Sequence, residues 1–134
     1  MDMAQILIVE DERIVAKDLA RRLTRMGHTV VATVASGEAA IQAATELRPG
    51  VVLMDVGLPG ELDGLAAAAH IWTRLQIPVI YLTGYSDSQT LGQARTPLPL
   101  LHLQKPFNEE TLRDVLTRAL TIQRREPPSD APTS

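Results

Sequence analysis

The chain has 134 residues, 45% hydrophobic, with a formal net charge of −3, enough for one domain with a core of its own. The acidic balance lacks the basic footprint of a nucleic-acid binder, so no nucleic acid is expected as a direct partner. Without cysteine there is no disulfide, thiol nucleophile or thiolate metal site; with no apolar run of spanning length and no basic leader after Met1, a cytoplasmic protein off the membrane is expected.

In chain order, "QILIV" predicts a first strand over Gln5 to Val9, followed directly by the carboxylates of Glu10, Asp11 and Glu12. A helix is expected near Arg13 to Met26, where Val15, Leu19 and Leu23 recur every four residues and Gly27 stands at the place of a left-handed cap. A strand over Thr29 to Thr33, a helix near Gly37 to Leu47, a strand over Val51 to Asp55 and a helix near Gly64 to Leu75 follow. Then come a strand over Val79 to Thr83, a shorter helix near Ser86 to Ala94, and a strand over Leu100 to Gln104. The last helix runs from about Glu109 to Gln123, with Asn108 as N-cap and Leu112, Val115, Leu116, Ala119 and Leu120 as its apolar stripe. One domain is therefore expected over 1–125, and the proline-rich, aperiodic residues 126–134 read as a disordered tail.

Strict alternation of helices with nearly continuous apolar strands argues for a doubly wound α/β fold, a parallel sheet covered on both faces. In such a sheet functional groups gather at the carboxyl ends of the strands. Glu10 and Asp11 end the first strand, Asp55 the third and Thr83 the fourth, and Lys105 follows the fifth. Each alone has an ordinary reading: a solvated charge, a turn residue, a surface lysine. Together at one edge they are a chemical set, because converging carboxylates repel one another unless a cation or a lysine compensates. Hard oxygen ligands of this kind suit Mg²⁺.

The motifs "LIVEDE", "VVLMDVGLPGELDG", "VIYLTGYSD" and "LQKPF" resemble those of the receiver domain of two-component response regulators, over about Gln5 to Gln123. The resemblance implies a flavodoxin-like, five-stranded parallel sheet in the order 2-1-3-4-5. It implies that Asp55 accepts a phosphoryl group from a phosphohistidine on a sensor histidine kinase. It also implies that Glu10, Asp11, Asp55 and the carbonyl of Gly57 surround Mg²⁺, that Thr83 and Lys105 contact the phosphoryl group, and that Lys105–Pro106 is a cis peptide. The protein would promote its own phosphorylation and dephosphorylation without being an enzyme in the ordinary sense.

The pattern departs from the family at several points. Glu10 stands where Asp is commoner, the loop after Asp55 is one residue longer, and Pro97 and Pro99 replace the usual glycine connection to the fifth strand. His102 occupies the position of the aromatic switch residue and is a candidate switch with Thr83. Trp72 and Ile71 read as packing residues and His28 and His70 as surface or partly packed; Ile14, beside Asp11 at the start of the first helix, is a candidate exposed kinase contact, with a half-buried aliphatic as its default reading. The favoured function is a stand-alone receiver that signals to a downstream protein target through phosphorylation-dependent contacts. The alternative is a phosphocarrier exchanging with a histidine phosphotransfer protein in a phosphorelay; a flavodoxin-like binding module or metal-dependent phosphatase is a third. "GELDG" and "LTGYSD" resemble receivers that serve kinases such as bacterial phytochromes. A homodimer would use the family's face of fourth helix, fifth strand and fifth helix.

Overall fold

A computed structural model describes residues 3–56, 64–83 and 101–124. The elements are β1 (Gln5–Val9), α1 (Arg13–Arg25), β2 (Thr29–Val34), α2 (Gly37–Leu47), β3 (Val51–Asp55), α3 (Gly64–Leu75), β4 (Val79–Thr83), β5 (Leu101–Gln104) and α4 (Glu109–Arg124). The strands form one sheet in the order β2-β1-β3-β4-β5, and every neighbouring pair is parallel. This is the expected receiver-type topology. The predicted helix over Ser86 to Ala94, the Pro97–Pro99 connection, Gly57 and the tail all lie outside the described residues, as does part of the face named for self-association.

β3 and β4 are buried along their whole lengths, which is why they read as unbroken apolar runs: helices cover them on both faces. Alternate side chains divide into two cores. Leu7, Val9, Val52, Met54 and Tyr81 pack under α2 and α3, while Ile6, Ile8, Leu53, Ile80 and Leu82 pack under α1 and α4. β2 runs one residue past the prediction, to Val34, and the β1–β2 register shifts between Ile6 and Leu7, so that Val31 is opposite no residue of β1.

Local signals set the helix ends. Gly27 adopts φ +99°, His28 N–H reaches Leu23 O at 3.0 Å and Gly27 N–H reaches Thr24 O at 3.0 Å, the paired bonds of a Schellman cap. Ser36 Oγ accepts from Ala39 N–H at 3.1 Å at the start of α2, and Asn108 Oδ1 accepts from Thr111 N–H at 2.8 Å at the start of α4, each satisfying a donor the helix leaves open.

Two packing expectations change. Ile14 is 85% exposed rather than half-buried, because it lies about 200° around the helix from Ala16 at 100° per residue, opposite the buried Ala16–Leu19–Leu23 stripe. His28 is buried, and its Nδ1 accepts the Ala4 N–H at 3.1 Å; burial holds its pKa below the ordinary histidine value. His70 is exposed, Ile71 is fully buried and Trp72 packs at the edge of the same core.

Candidate functional site at the carboxyl edge of the sheet

The acidic residues meet because two neighbouring strands, β1 and β3, deliver them. Glu10 continues β1, its N–H held by Val34 O at 2.9 Å. Asp55 is the last residue of β3, with the next N–H, that of Val56, donating to Leu82 O at 3.2 Å. Oxygen atoms of Glu10, Asp11 and Asp55 all come within 4.8 Å of one another. Glu10 and Asp55 are buried at 2% and 7% exposure, whereas Asp11 is exposed.

Lys105 reaches this cluster from across the sheet. Its N–H donates to Thr83 O at 2.8 Å, which ties the residue after β5 to the end of β4, and the Lys105–Pro106 peptide is cis. Its Nζ donates to Glu10 Oε1 at 3.2 Å and stands 3.9 Å from Asp55 Oδ1. The other Glu10 oxygen, Oε2, accepts the Glu12 N–H at 3.1 Å. Glu10 thus has both oxygens engaged by the protein, a role the sequence had not suggested.

Burial raises the Glu10 pKa, with the Asp55 charge adding to the effect and the Glu12 N–H and Lys105 opposing it. Burial pulls the Lys105 pKa down, but Asp55 and Glu10 outweigh it and hold the ammonium above its ordinary range. Lys105 therefore stays charged. Three carboxylates against one ammonium leave a formal surplus of two negative charges among these four side chains, a balance that a divalent cation would close. The donor set, all carboxylate oxygen with one exposed member, fits Mg²⁺, which takes one or two carboxylates and keeps several waters.

Thr83 ends β4 with its side chain buried, and its Oγ1 makes no hydrogen bond among the described residues. A buried hydroxyl without a partner costs free energy, so its place beside the cluster points to a group that arrives. His102 pairs with Tyr81 in register and Gln104 with Thr83, so His102 shares Thr83's face of the sheet and is exposed there.

Sequence reasoning also passed over Gly64. A methyl group on its Cα would overlap the Asp55 carbonyl oxygen and stand 3.2 Å from Val56 Cα. Only glycine lets the start of α3 come so close to the end of β3; the Asp-Gly pair at 63–64 was the available signal. Beside the cluster, a groove of about 700 Å³ runs between α1 and the end of β2, lined in part by Glu10, Asp11, Ile14, Lys17, Thr33 and Val34.

The sequence profile of the response regulator receiver domain matches residues 6–117. The chain belongs to this family. The receiver is 34% identical over 124 residues to the phyllosphere-induced regulator PhyR of Methylorubrum extorquens, covering 91% of this chain and 46% of PhyR. It is 32% identical over 117 residues to the transcriptional regulatory protein PdtaR of Mycobacterium tuberculosis, covering 87% of this chain and 57% of PdtaR. The receiver thus spans about half the length of the curated relatives it matches. Among solved structures, the signal receiver domain of a modulated diguanylate cyclase from Desulfovibrio desulfuricans superposes with a TM-score of 0.86 at 33% identity, covering 94% of this chain and 100% of that one. PhyR of Bartonella quintana, an anti-anti-sigma factor, gives a TM-score of 0.79 at 27% identity, covering 92% of this chain and half of that one. No helix among the described residues is long and apolar enough to cross a membrane.

Proposed function

We propose that this receiver takes a phosphoryl group from a phosphohistidine onto Asp55 and signals through protein contacts that depend on that modification. The observation that carries the reading is the convergence on Asp55: Glu10 and Asp11 within 4.8 Å, the Lys105 ammonium at 3.9 Å, and the unsatisfied Thr83 hydroxyl beside them.

An Asp55 carboxylate oxygen attacks phosphorus in line with the histidine nitrogen. The O–P bond forms as the P–N bond breaks, and the imidazole keeps the bonding electron pair. Such transfers ask a protein mainly to position groups and to disperse charge. Mg²⁺, held by Asp11 and Asp55 with Glu10 nearby and the Gly57 carbonyl as a further candidate, would supply charge neutralisation. Lys105, parked on Glu10 beforehand, turns to a phosphoryl oxygen, and its flexible stem suits that short transfer. The Thr83 hydroxyl donates to another oxygen and gains the partner it lacks. Movement of Thr83 and the added charge of about −1.5 to −2 then bias the neighbouring surface, with His102 and Gln104 exposed on that face.

Ile14, exposed beside Asp11 on the rim of the groove, is the natural apolar anchor for the donor kinase or histidine phosphotransfer protein. Protein contact as output has support from the PhyR relatives, one of which is an anti-anti-sigma factor. The test is labelling with acetyl phosphate and with a phosphorylated kinase in Mg²⁺. Asp55→Asn should abolish both, and Ile14→Ser should slow only transfer from the kinase. Undiminished base-labile label in Asp55→Asn would defeat the proposal.

A further inference from the structure

The segment that follows Lys105 is gripped from α1. Arg22 Nε donates to Asp18 Oδ2 at 3.1 Å, an i,i+4 pair along α1. Its NH1 donates to the Phe107 carbonyl at 3.4 Å, and its Cζ stands 5.9 Å from the centroid of the Phe107 ring, within cation–π range. One turn on, Arg25 NH2 donates to Glu109 Oε1 at 3.0 Å, while Arg113 holds the other oxygen of that carboxylate at 3.3 Å. Phe107 itself packs at the edge of the core under α1 and α4.

The short run 105–107 is therefore held at both ends, with Glu109 tied to α1 just beyond it. At one end the Lys105 N–H is fixed to Thr83 O; at the other the Phe107 carbonyl and ring are fixed to α1. Between them the Lys105 side chain must serve two oxygens that differ by less than an ångström in distance, Glu10 at 3.2 Å and Asp55 at 3.9 Å. The stem is flexible, so its root decides which oxygens lie in reach. A misplacement of about 1 Å in a catalytic group can cost on the order of 100-fold in rate, and a lysine that re-aims by its own torsions recovers part of that.

We propose that Arg22 is a positioning residue, which through its hold on Phe107 sets the reach of Lys105 over the phosphoryl acceptor. Arg22 touches neither acceptor nor phosphoryl group and acts only through the loop. The inference rests on the function proposed for Asp55, and a double-mutant cycle separates the two. Phosphorylation by acetyl phosphate in saturating Mg²⁺ is timed in the full chain, in Arg22→Ala, in Lys105→Ala and in the double variant, with Mg²⁺ affinity measured alongside by calorimetry.

Arg22→Ala is expected to lower the rate about three- to tenfold with Mg²⁺ affinity unchanged, and to have no further effect where Lys105 is already alanine. Arg22→Lys keeps a cation over the ring but loses the planar fork, and should fall between; it also carries the cycle if Arg22→Ala does not fold. An equal loss in both backgrounds would mean a general structural role, and an unchanged rate in the parent background would mean none; either overturns the inference while leaving Asp55 as acceptor. No label on the unsubstituted chain would overturn the acceptor reading and this inference with it.

Discussion

Asp55→Asn should make the unphosphorylated protein more stable. The oxygens of Glu10, Asp11 and Asp55 lie no more than 4.8 Å apart, so at an effective dielectric of about 20 the repulsion of Asp55 by each of these two carboxylates is about 3.5 kcal/mol. Its attraction to Lys105 at 3.9 Å returns about 4 kcal/mol on the same scale. Repulsion exceeds attraction by about 3 kcal/mol, and screening by water around the exposed Asp11 reduces this to a gain of about 1–2 kcal/mol for the neutral amide. For a domain of this size that is a rise in Tm of about 3–6 °C. Urea unfolding in EDTA at low ionic strength should give a higher midpoint for Asp55→Asn with an unchanged slope. Millimolar Mg²⁺ should narrow the gap, since ligand linkage favours the parent site. A variant equal to or less stable than its parent in EDTA would refute the electrostatic account of the cluster.

Asp11→Asn should weaken Mg²⁺ binding in calorimetry more than Glu10→Gln does, because both Glu10 oxygens already have partners while Asp11 is exposed; the reverse order would exchange their roles. Gly64→Ala should cost about 1–3 kcal/mol in chemical denaturation, the usual penalty of overpacking, and should slow labelling of Asp55, whose carbonyl the new methyl would displace; parental stability with parental labelling would contradict the close approach. For His28, whose folded pKa burial holds below the ordinary histidine value, the unfolded chain takes up the proton first. Stability is complete above about pH 6.5 and falls as pH drops from there toward the folded pKa, by at most about 1.4 kcal/mol per pH unit. His28→Gln should flatten that slope in denaturation from pH 7.5 to 5; an unchanged slope would remove His28 from the account.

The fold was legible because its elements agree with their own chemistry. Val51–Asp55 and Val79–Thr83 are apolar without a break since both faces are covered, and Gly27, Ser36 and Asn108 mark helix ends by what their backbone or side chain can do. The cluster was legible for the same reason: parallel strands bring their last residues to one edge. Three features were not. Ile14 looked apolar enough to bury, but its helical phase turns it outward. His28 carries no mark of burial in its neighbours, because the acceptor it provides serves Ala4, 24 residues away. The Glu10–Lys105 bond depends on the extra methylene of Glu and on where a flexible lysine comes to rest, and spacing along the chain reports neither.

The Glu10–Lys105 contact joins residues separated by 95 positions, which has a consequence in time. At a synthesis rate of about 5–20 residues per second, the acidic end of β1 is made about 5–20 s before the lysine that neutralises part of it. A nascent chain that has reached Thr83 already encodes the converging carboxylates of β1 and β3 and no ammonium from Lys105. Pairing those strands early brings like charges together, so the order of synthesis disfavours closing this edge of the sheet until β5 arrives or a divalent cation takes its place. Ambient Mg²⁺ would then be felt twice in the life of the molecule: first as a counter-charge while the chain is growing, and later at the finished carboxylate cluster.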